Sequence, residues 1–487
     1  MCNNTKCDKV PVKEIPSDTR IGNLINIFRE EYDAEPDFIV KVPGRVNIIG
    51  EHIDYCGYPV LPLALEQDIL IASKKISKLE LFIRNSDKKY RKYYTQINTF
   101  EDIVIQSEPQ SKPEWYNYVL CGIKGALEYL NNEIFYGMQF LVDGNIPPAS
   151  GLSSSSALVS AACLSFLHGQ DAPTNKTEIA SLCARSERYI GTVGGGMDQA
   201  IAFLAEKYSA QYITFRPLKA EPVALPENAV FVVAHSLAEA NKAATNDFNR
   251  RVIECRLAAK LLAEANGQAT GKRIVTLSEV QTLLGKSLEE MIALVKEVLF
   301  KNVYMKHEIC DKLNLTETEL NDIYLTPNTR NLTEFKLKQR ALHVYEEASR
   351  VESFRSICED LSKDNTTHNG RNGSVTNGNG SATSFDSLHV LGELMSASHK
   401  SLKELYECSH ENLDHLVDIS KQMNVHSRLT GAGWGGCIVA LCPKERVKEY
   451  IEMLIDKFYI QYCNIDKNQV HKYVFATTPN HGAIIYK

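Results

Sequence analysis

The sequence lacks any surplus of positive charge and any long apolar run. Lys and Arg number 54 against 60 Asp and Glu, so the formal net charge is −6 at pH 7. A basic field for a phosphate backbone is therefore missing, which argues against a dedicated nucleic-acid-binding protein. No stretch reaches the roughly 18 consecutive apolar residues of a membrane-spanning helix, and residues 1–20 contain no apolar signal-peptide core. We therefore expect neither nucleic acid nor a membrane as a partner.

Cysteine is present, but not in the spacing of a metal site. The chain has 13 cysteines, an odd number, and none of them form a CxxC pair. Cys2 and Cys7 come nearest to a cluster, yet no His or Cys pair follows to complete it. Free thiols in a reducing compartment are the simplest interpretation, so the sequence predicts a soluble cytoplasmic protein.

The composition is that of a folded protein with two or three domains. Apolar residues make up 44% of the chain and charged residues 23%, which is close to ordinary globular values. Its 487 residues would allow about three domains of roughly 150 residues each, or two larger ones. Residues 1–20 are predicted to form a mobile tail, followed by an amphipathic helix from Ile21 that Ser17 could cap. Strands are predicted at 38–42 and 46–49.

One segment, KDNTTHNGRNGSVTNGNGSATS at residues 363–384, has almost no apolar residue. Burial cannot compensate for the entropy of ordering such a segment, so we predict a disordered surface insertion between helices. The predicted division is then an N-terminal domain over residues 21–212 and a C-terminal domain over residues 213–487 that carries the insertion.

Two familiar nucleotide signatures in the chain are incomplete. GKS at 285–287 resembles the end of a Walker A loop, but Val280 stands where that pattern needs glycine. GAGWGG at 431–436 matches GxGxxG, yet a strand-like apolar run follows it where a dinucleotide-binding fold needs a helix. Neither motif supports a nucleotide site of those classes.

The segment PGRVNIIGEHIDY, residues 43–55, presents four polar or charged heads beside two glycines: Arg45, Glu51, His52 and Asp54. We expect these side chains to lie on a tight turn. Sugar hydroxyls need donors and acceptors in fixed geometry, so such a turn suits a polyhydroxylated ligand. Since loops are polar in any case, an ordinary solvated loop is an equally good interpretation of this segment alone.

Further segments point to an anion and to close backbone approach. PPASGLSSSSA, residues 147–157, opens an apolar helix, where small residues leave backbone N–H groups available to a phosphate. LTGAGWGG at 429–436 is a glycine loop that precedes a strand, and GGGMDQ at 194–199 places one carboxylate next to three glycines. We favour a phosphate cradle at the serine segment over a flexible helix cap.

These segments, in this order, resemble the motifs of the GHMP kinases, and PGRVNIIGEHIDY resembles the signature of the galactokinase family. Within that family the chain is most similar to the branch that phosphorylates N-acetylgalactosamine, through SERYIGTVGGGMDQ, NKAAT, ECRLAAKLLA and YECS. The resemblance runs from about residue 20 to the C-terminus, apart from residues 363–384. It implies a two-domain α/β (α+β) GHMP kinase fold with the active site in the cleft between the domains.

The resemblance also implies roles for individual residues. Asp198 would be the catalytic residue that accepts the proton of the sugar's C1 hydroxyl or orients that hydroxyl, and Arg45 would lie beside the transferred phosphoryl group. The implied sugar contacts are Arg45, Glu51, His52, Asp54, Gly195, Gly196, Asp198 and Phe248. The implied ATP contacts are Trp115, Gly151, Leu152, Ser153, Ser154, Ser155, Asn241 and Lys242. Mg²⁺ would be held by Ser155 and Glu187, although counting back from Ala157 selects Ser156 instead.

The sequence thus predicts an ATP-dependent sugar 1-kinase that converts N-acetylgalactosamine to its 1-phosphate, with galactose as a poorer substrate. Phe248 stands where galactokinases commonly place a Tyr, which leaves room for an N-acetyl group at C2. The alternatives are a galactokinase and a non-catalytic regulator that binds galactose and ATP. Because no interface signature is visible, we expect a monomer.

Overall fold

The computed structural model describes residues 8–105, 113–131, 133–239, 246–268, 270–368 and 384–487. Its helices are α1 Thr19–Tyr32, α2 Tyr116–Tyr129, α3 Ser154–Gly169, α4 Lys176–Ser186, α5 Met197–Leu204, α6 Asp247–Ala265, α7 Leu277–Leu284, α8 Leu288–Val298, α9 Lys306–Leu313, α10 Glu317–Tyr324, α11 Leu337–His368, α12 Ser384–Glu404, α13 Glu411–Gln422 and α14 Val447–Leu454. Its strands are β1 Val12–Lys13, β2 Phe38–Ile49, β3 Leu61–Ile76, β4 Glu80–Asn85, β5 Tyr93–Gln96, β6 Gly137–Gly144, β7 Ser209–Phe215, β8 Leu218–Ala224, β9 Ala229–His235, β10 Tyr304–Met305, β11 Glu334–Phe335, β12 His426–Thr430, β13 Cys437–Pro443, β14 Val474–Thr477 and β15 Ile484–Tyr486.

The larger sheet of the described residues has seven strands in the order β1-β15-β2-β3-β6-β4-β5. Helix α1 covers one face, where its stripe of Ile21, Leu24 and Phe28 packs on Ile39 and Leu70. Helices α2 to α5 lie on the other face, and α3 packs directly on β2 and β3. Because successive residues of a strand point to opposite faces, β2 supplies apolar side chains to both layers.

The smaller sheet has the order β12-β13-β9-β14, and its strand pairs are antiparallel. Helices α12, α13 and α14 pack on it. Helix α11 contacts α6, α8 and α12, and it also reaches β2 of the larger sheet. This contact brings the C-terminal half of the chain against the strand that carries Arg45.

Several predicted elements are confirmed, with shifted ends. The helix that the segment 147–157 was expected to open is α3, and the next helix, α4, is capped by Asn175, whose side chain accepts from Glu178 N at 3.1 Å. The loop at 431–436 does precede a strand, β13. The two strands predicted at 38–42 and 46–49 form the single strand β2, because bulges let pairing with β3 continue past Pro43.

The mobile tail predicted over residues 1–20 is wrong from residue 8 onward. Val12–Lys13 pair in parallel with β15, and Val10 is buried while its N–H donates to Thr174 O. The cap of α1 is Asp18, not Ser17, because the Asp18 carboxylate accepts from Arg20 N and Ile21 N. Pairing with a strand from the far end of the chain leaves no local signal in the sequence.

The predicted domain boundaries also need correction. A boundary between residues 212 and 213 would cut β7, which pairs along its whole length with β8. Strand β15, assigned to the C-terminal domain, pairs with β2 in the larger sheet. The insertion predicted at 363–384 begins too early, since α11 continues to His368; residues 369–383 lie outside the described residues.

Within the described part of the chain, no helix is both long enough and apolar enough to cross a membrane.

Candidate active site

A cleft lies where β2, the start of α5, the start of α6 and the loop before β13 meet. Its lining residues are Arg45, Glu51, His52, Asp54, Tyr55, Glu187, Thr192, Gly194, Gly195, Gly196, Met197, Asp198, Gln199, Phe248, Gly431 and Ala432. Every residue predicted to contact the sugar is in this list. The fold therefore brings together residues that are up to 387 positions apart in the chain, from Arg45 to Ala432.

Arg45 and Asp198 form an ion pair at the cleft. Arg45 Nε lies 2.8 Å and Nη2 2.7 Å from Asp198 Oδ1, and the two side chains are 2% and 13% exposed. Arg45 lies within β2 next to a bulge, so the tight turn expected for it is wrong, whereas Glu51 and His52 do lie on a turn directly after β2. Asp198 stands in the first turn of α5, where the helix dipole favours a carboxylate.

A serine hydroxyl joins two carboxylates beside this ion pair. Ser156 Oγ lies 3.0 and 2.9 Å from the two carboxylate oxygens of Glu187 and 3.2 Å from Asp198 Oδ2. Ser155 Oγ is farther, at 3.4 Å from Glu187 Oε1. Gln199 Nε2 donates to Glu187 Oε2 at 2.5 Å. A hydroxyl and two carboxylates are hard oxygen donors, and Mg²⁺ commonly takes one or two carboxylates together with substrate phosphates.

The described residues contain no cluster of three His, Cys, Asp or Glu side chains that could hold a metal ion. Ser156 and Glu187 supply hard oxygen donors, the kind that Mg²⁺ takes together with the phosphates of a nucleotide. The assignment of Mg²⁺ to Ser155 and Glu187 stays a prediction, and the shorter distances favour Ser156 over Ser155.

The serine loop, residues 147–155, packs against β2 at Arg45. Arg45 N donates to Leu152 O at 3.2 Å, and the Arg45 side chain donates to Gly151 O. Ser153 has a left-handed backbone (φ 61°) at the N-terminus of α3, and its buried Oγ has no hydrogen-bond partner among the described residues. Ser154 opens the helix directly after it. A buried hydroxyl at a helix N-terminus suits an anionic ligand.

The glycines of the cleft bring protein backbones together. A Cβ on Gly195 would lie 2.3 Å from Tyr55 N, and one on Gly431 would lie 2.4 Å from Gly151 O. Gly196 has φ +107°, which other residues rarely adopt. We expected these backbones to approach a ligand, but the close approach joins the segments in pairs, 194–199 to 43–55 and 429–436 to 147–157.

Glu51 is 1% exposed and links two of these segments. Its Oε1 accepts from Gly431 N at 2.8 Å and its Oε2 from Asn47 Nδ2 at 3.2 Å. Burial raises the pKa of Glu51, although the nearby Arg428 and Arg45 charges oppose the increase. The carboxylate therefore lines the cleft and also connects the segment 43–55 to the glycine loop 429–436.

His52 and Asp54 are likewise tied to neighbouring loops. His52 Nε2 lies 3.0 Å from Ala432 O, and Nδ1 lies 2.8 Å from Tyr55 Oη. Because a carbonyl oxygen only accepts, we assign the proton to Nε2, so Nδ1 accepts from the Tyr55 hydroxyl. Asp54 Oδ2 accepts from Met197 N at 3.4 Å, next to the helix that carries Asp198.

Phe248 opens α6 and is buried in the cleft wall. Its ring centroid lies 5.8 Å from that of His52 and 5.7 Å from that of Tyr55. Ala432 and Val252 pack with it. This part of the cleft therefore presents an apolar surface.

One predicted nucleotide contact, Trp115, packs against other parts of the protein. It precedes α2, lies near Tyr90 with ring centroids 5.7 Å apart and donates from Nε1 to Arg91 O. It is not part of the cleft lining among the described residues. Asn241 and Lys242 lie outside the described residues.

Gln199, Tyr55 and Thr192 also line the cleft, although the sequence pattern did not predict them as site residues. Gln199 follows Asp198 directly in GGGMDQ, so its position in that segment was an available signal. Tyr55 ends the segment PGRVNIIGEHIDY, and its position beside Asp54 was a similar signal.

The described fold is the two-domain α/β fold of the GHMP kinases. Family models match residues 117–206 (GHMP kinases N terminal domain), 384–461 (GHMP kinases C terminal) and 26–75 (Galactokinase galactose-binding signature). The crystal structure of Lactococcus lactis galactokinase complexed with galactose has the same fold, with a TM-score of 0.70, 22% identity and coverage of 96% of this chain and 99% of that one.

Similarity of sequence defines the family more closely. Galactokinase from Dictyostelium discoideum is 37% identical over 96% of this chain and 94% of its own length. Galactokinase from Saccharomyces cerevisiae is 31% identical over 98% and 96%. The chain belongs to the galactokinase family of the GHMP kinases, and it is a sugar kinase, a phosphotransferase that uses an alcohol group as acceptor.

Proposed function

We propose that the protein transfers the γ-phosphoryl group of ATP to the C1 hydroxyl of galactose, giving galactose 1-phosphate and ADP. The Arg45–Asp198 ion pair at the cleft, with Ser156 and Glu187 beside it, is the observation that carries the proposal. The relatives named galactokinase support galactose as the sugar, since they match nearly the whole chain.

In this proposal the carboxylate of Asp198 accepts the hydrogen bond of the C1 hydroxyl. The hydroxyl oxygen forms a bond to the γ-phosphorus, the bond from that phosphorus to the ADP oxygen breaks, and the hydroxyl proton passes to Asp198 and then to solvent. Arg45 already pairs with Asp198, so it restrains the carboxylate and places positive charge where the transferred group arrives. Positioning and charge neutralisation supply most of the catalysis in phosphoryl transfer.

The N-terminus of α3 is the proposed phosphate site. Residues Gly151 to Ser155 precede or open this 16-residue helix, and the buried Ser153 hydroxyl supplies an additional donor. Trp115, Asn241 and Lys242 remain predicted contacts of the nucleotide.

Ser156 and Glu187 would hold Mg²⁺, with Ser155 as the alternative hydroxyl. When bound, Mg²⁺ neutralises charge on the phosphate oxygens. Gln199 keeps the Glu187 carboxylate in place through its amide N–H.

N-acetylgalactosamine is the second candidate substrate, and the apolar wall around Phe248 favours it. Phe248 is 6% exposed and packs with Ala432, and the hydroxyl of the neighbouring Tyr55 is already bonded to His52 and Tyr406, so this wall could contact an acetamido methyl group. An apolar contact of about one methyl group is worth roughly 1 kcal/mol, so the wall alone does not decide between the sugars.

The test is a coupled ADP-release assay with galactose and N-acetylgalactosamine over matched concentration ranges. We expect a higher kcat/KM with galactose. The Phe248→Tyr variant, which adds a hydroxyl to the wall, should shift the ratio of the two kcat/KM values further toward galactose. A higher kcat/KM with N-acetylgalactosamine would assign that sugar instead, and no ATP-dependent product with either sugar would refute the proposed function.

A further inference from the structure

The backbone of the segment PGRVNIIGEHIDY, residues 43–55, forms hydrogen bonds with side chains that do not line the cleft. This support begins at Gly50, where β2 gives way to the segment carrying Glu51, His52 and Asp54. Gly50 has φ +103°, and a Cβ there would lie 3.0 Å from Val351 Cγ2 of α11. The turn is therefore pressed directly against a helix from the C-terminal half of the chain.

Glu347 of α11 accepts the hydrogen bond of this turn. Its Oε1 accepts from Gly50 N at 2.9 Å and from Ser398 Oγ at 2.6 Å, and its Oε2 accepts from Arg350 Nε at 2.7 Å. The Glu347 side chain is 0% exposed, and it is not among the described residues that line the cleft. A buried backbone N–H needs such an acceptor, and a charged acceptor makes a stronger bond.

His343 lies one helical turn before Glu347 and contacts the backbone carbonyl group of Glu51. Its Nε2 lies 3.1 Å from Glu51 O, and its Nδ1 lies 2.8 Å from Ser401 Oγ. Because the carbonyl oxygen accepts, Nε2 carries the proton. Two side chains of α11 thus bond the backbone of the Gly50–Glu51 dipeptide: Glu347 accepts from the N–H at its start, and His343 donates to the C=O at its end.

A third support comes from β12. Arg428 Nη1 donates to Asn47 O at 3.0 Å and to Ile48 O at 3.1 Å. Every residue of this support lies about 300 residues or more after the motif in the chain. Contacts from the C-terminal half therefore hold the backbone from Asn47 to Glu51, in addition to the pairing of β2 with β3.

We propose that Glu347 is a positioning residue for sugar binding: by accepting from Gly50 N–H, it sets the orientation in which Glu51, His52 and Asp54 face the sugar. The proposal rests on the proposed function, since it treats the cleft as the sugar site. It assigns Glu347 no contact with the sugar or with ATP.

The test compares Glu347→Gln with Glu346→Gln. Glu346 is the adjacent residue of α11, is 32% exposed and is paired only loosely with Arg350 at 3.9 Å, so it is a matched control. Isothermal titration calorimetry measures binding of galactose, of N-acetylgalactosamine and of a non-hydrolysable ATP analogue. Steady-state assays give KM and kcat for the same variants.

For Glu347→Gln we expect the sugar Kd and KM to rise about tenfold, because a charge-assisted bond to the turn is weakened. The Kd of the ATP analogue should change by less than about threefold, since the serine loop is not held by this carboxylate. Glu346→Gln should resemble wild type. A folded Glu347→Gln protein with unchanged sugar Kd, or with both ligands weakened equally, would overturn the proposal.

If Glu347→Gln does not fold, Ser398→Ala replaces it, because this change removes one donor and keeps the carboxylate. We then expect a smaller rise of the sugar Kd, about threefold, with nucleotide binding unchanged; no rise would overturn the proposal.

If wild type binds neither sugar, the proposed function fails, and amide hydrogen exchange of residues 44–55 decides the structural part separately. Faster exchange in the altered protein but not in Glu346→Gln is expected, and equal exchange contradicts it.

Discussion

Asp198 is held between a guanidinium group and a hydroxyl group, and both contacts restrict where its carboxylate can point. Arg45 Nε and Nη2 lie 2.8 and 2.7 Å from Asp198 Oδ1, and Ser156 Oγ lies 3.2 Å from Asp198 Oδ2. A carboxylate that already pairs with a guanidinium is a weak base, so orientation of the hydroxyl is at least as important as removal of its proton.

Replacing Asp198 by Ala should abolish turnover while ATP still binds. We expect kcat to fall by on the order of 10² to 10⁴, the usual contribution of a positioned acid–base residue. Calorimetric titration with a non-hydrolysable ATP analogue checks the second part, and a circular dichroism melt checks folding. A near-normal kcat would show that another group handles the C1 hydroxyl.

The two serines next to Glu187 should differ in their effect on Mg²⁺ dependence. Ser156→Ala removes the hydroxyl 2.9 Å from Glu187, whereas Ser155→Ala removes the one at 3.4 Å. We expect the Mg²⁺ concentration for half-maximal activity to rise about tenfold in Ser156→Ala and less in Ser155→Ala. The opposite order would return the assignment to Ser155.

At the scale of elements, the cleft is assembled by loops whose glycines let backbones touch. Gly195 lies against the peptide groups of Asp54 and Tyr55, and Gly431 lies against Gly151. The motif glycines were visible in the sequence, but their partners were not, because each partner belongs to a different motif.

Gly195→Ala and Gly194→Ala form a matched pair of variants. A Cβ at Gly195 would lie 2.3 Å from Tyr55 N and 2.5 Å from the carbonyl carbon of Asp54, whereas a Cβ at Gly194 meets nothing within 4 Å among the described residues. Gly195→Ala must displace the backbone of Asp54 and Tyr55, which belongs to the predicted sugar-binding segment 43–55. We therefore expect its kcat/KM for sugar to fall by about tenfold or more, with Gly194→Ala close to wild type. Equal effects of the two changes would contradict this account of the loop.

Helices and strands with a local signal were predicted well. Helix α3, for example, follows from an uninterrupted series of small and apolar residues. The run into β2 was split in two because Pro43 and Gly44 look like a turn locally. The hydrogen-bonded pairing of β2 with β3 on both sides of this dipeptide outweighs its local preference for a turn.

For the whole molecule, buried histidines should make stability depend on pH. Burial lowers the pKa values of His168, His235 and His343 to about 4, from an ordinary value of 6.5. Burial acts to raise the pKa of Glu347, but Arg350 and Arg428 outweigh it and hold that pKa at about 2.

A lowered pKa means that the folded protein binds fewer protons than the unfolded chain. The free energy of unfolding should therefore fall as pH drops from about 6.5 to 4 through the histidines, and from about 4.5 to 2 through Glu347. Glu51 contributes in the opposite sense, since its pKa is raised. Urea unfolding at several pH values between 7 and 4 checks the histidine part.

His168→Gln should give a smaller pH dependence than wild type, because it removes one of these groups. His168 packs on Phe38 in the first half of the chain, away from the cleft, so activity serves as a control. An unfolding free energy that is flat from pH 6.5 to 4 would contradict the prediction.

The sequence by itself determined the class of fold, and it singled out the serine segment and Asp198, whose roles as phosphate loop and catalytic residue remain predictions. These features depend on short segments in which glycine, serine and one carboxylate are neighbours along the chain. The tertiary structure decided which serine lies nearest Glu187, that Glu51 bridges to Gly431, and that Glu347 supports the turn at Gly50. These are contacts between residues about 30 to 380 positions apart. A local pattern cannot specify them, because they depend on how the two sheets and α11 pack together.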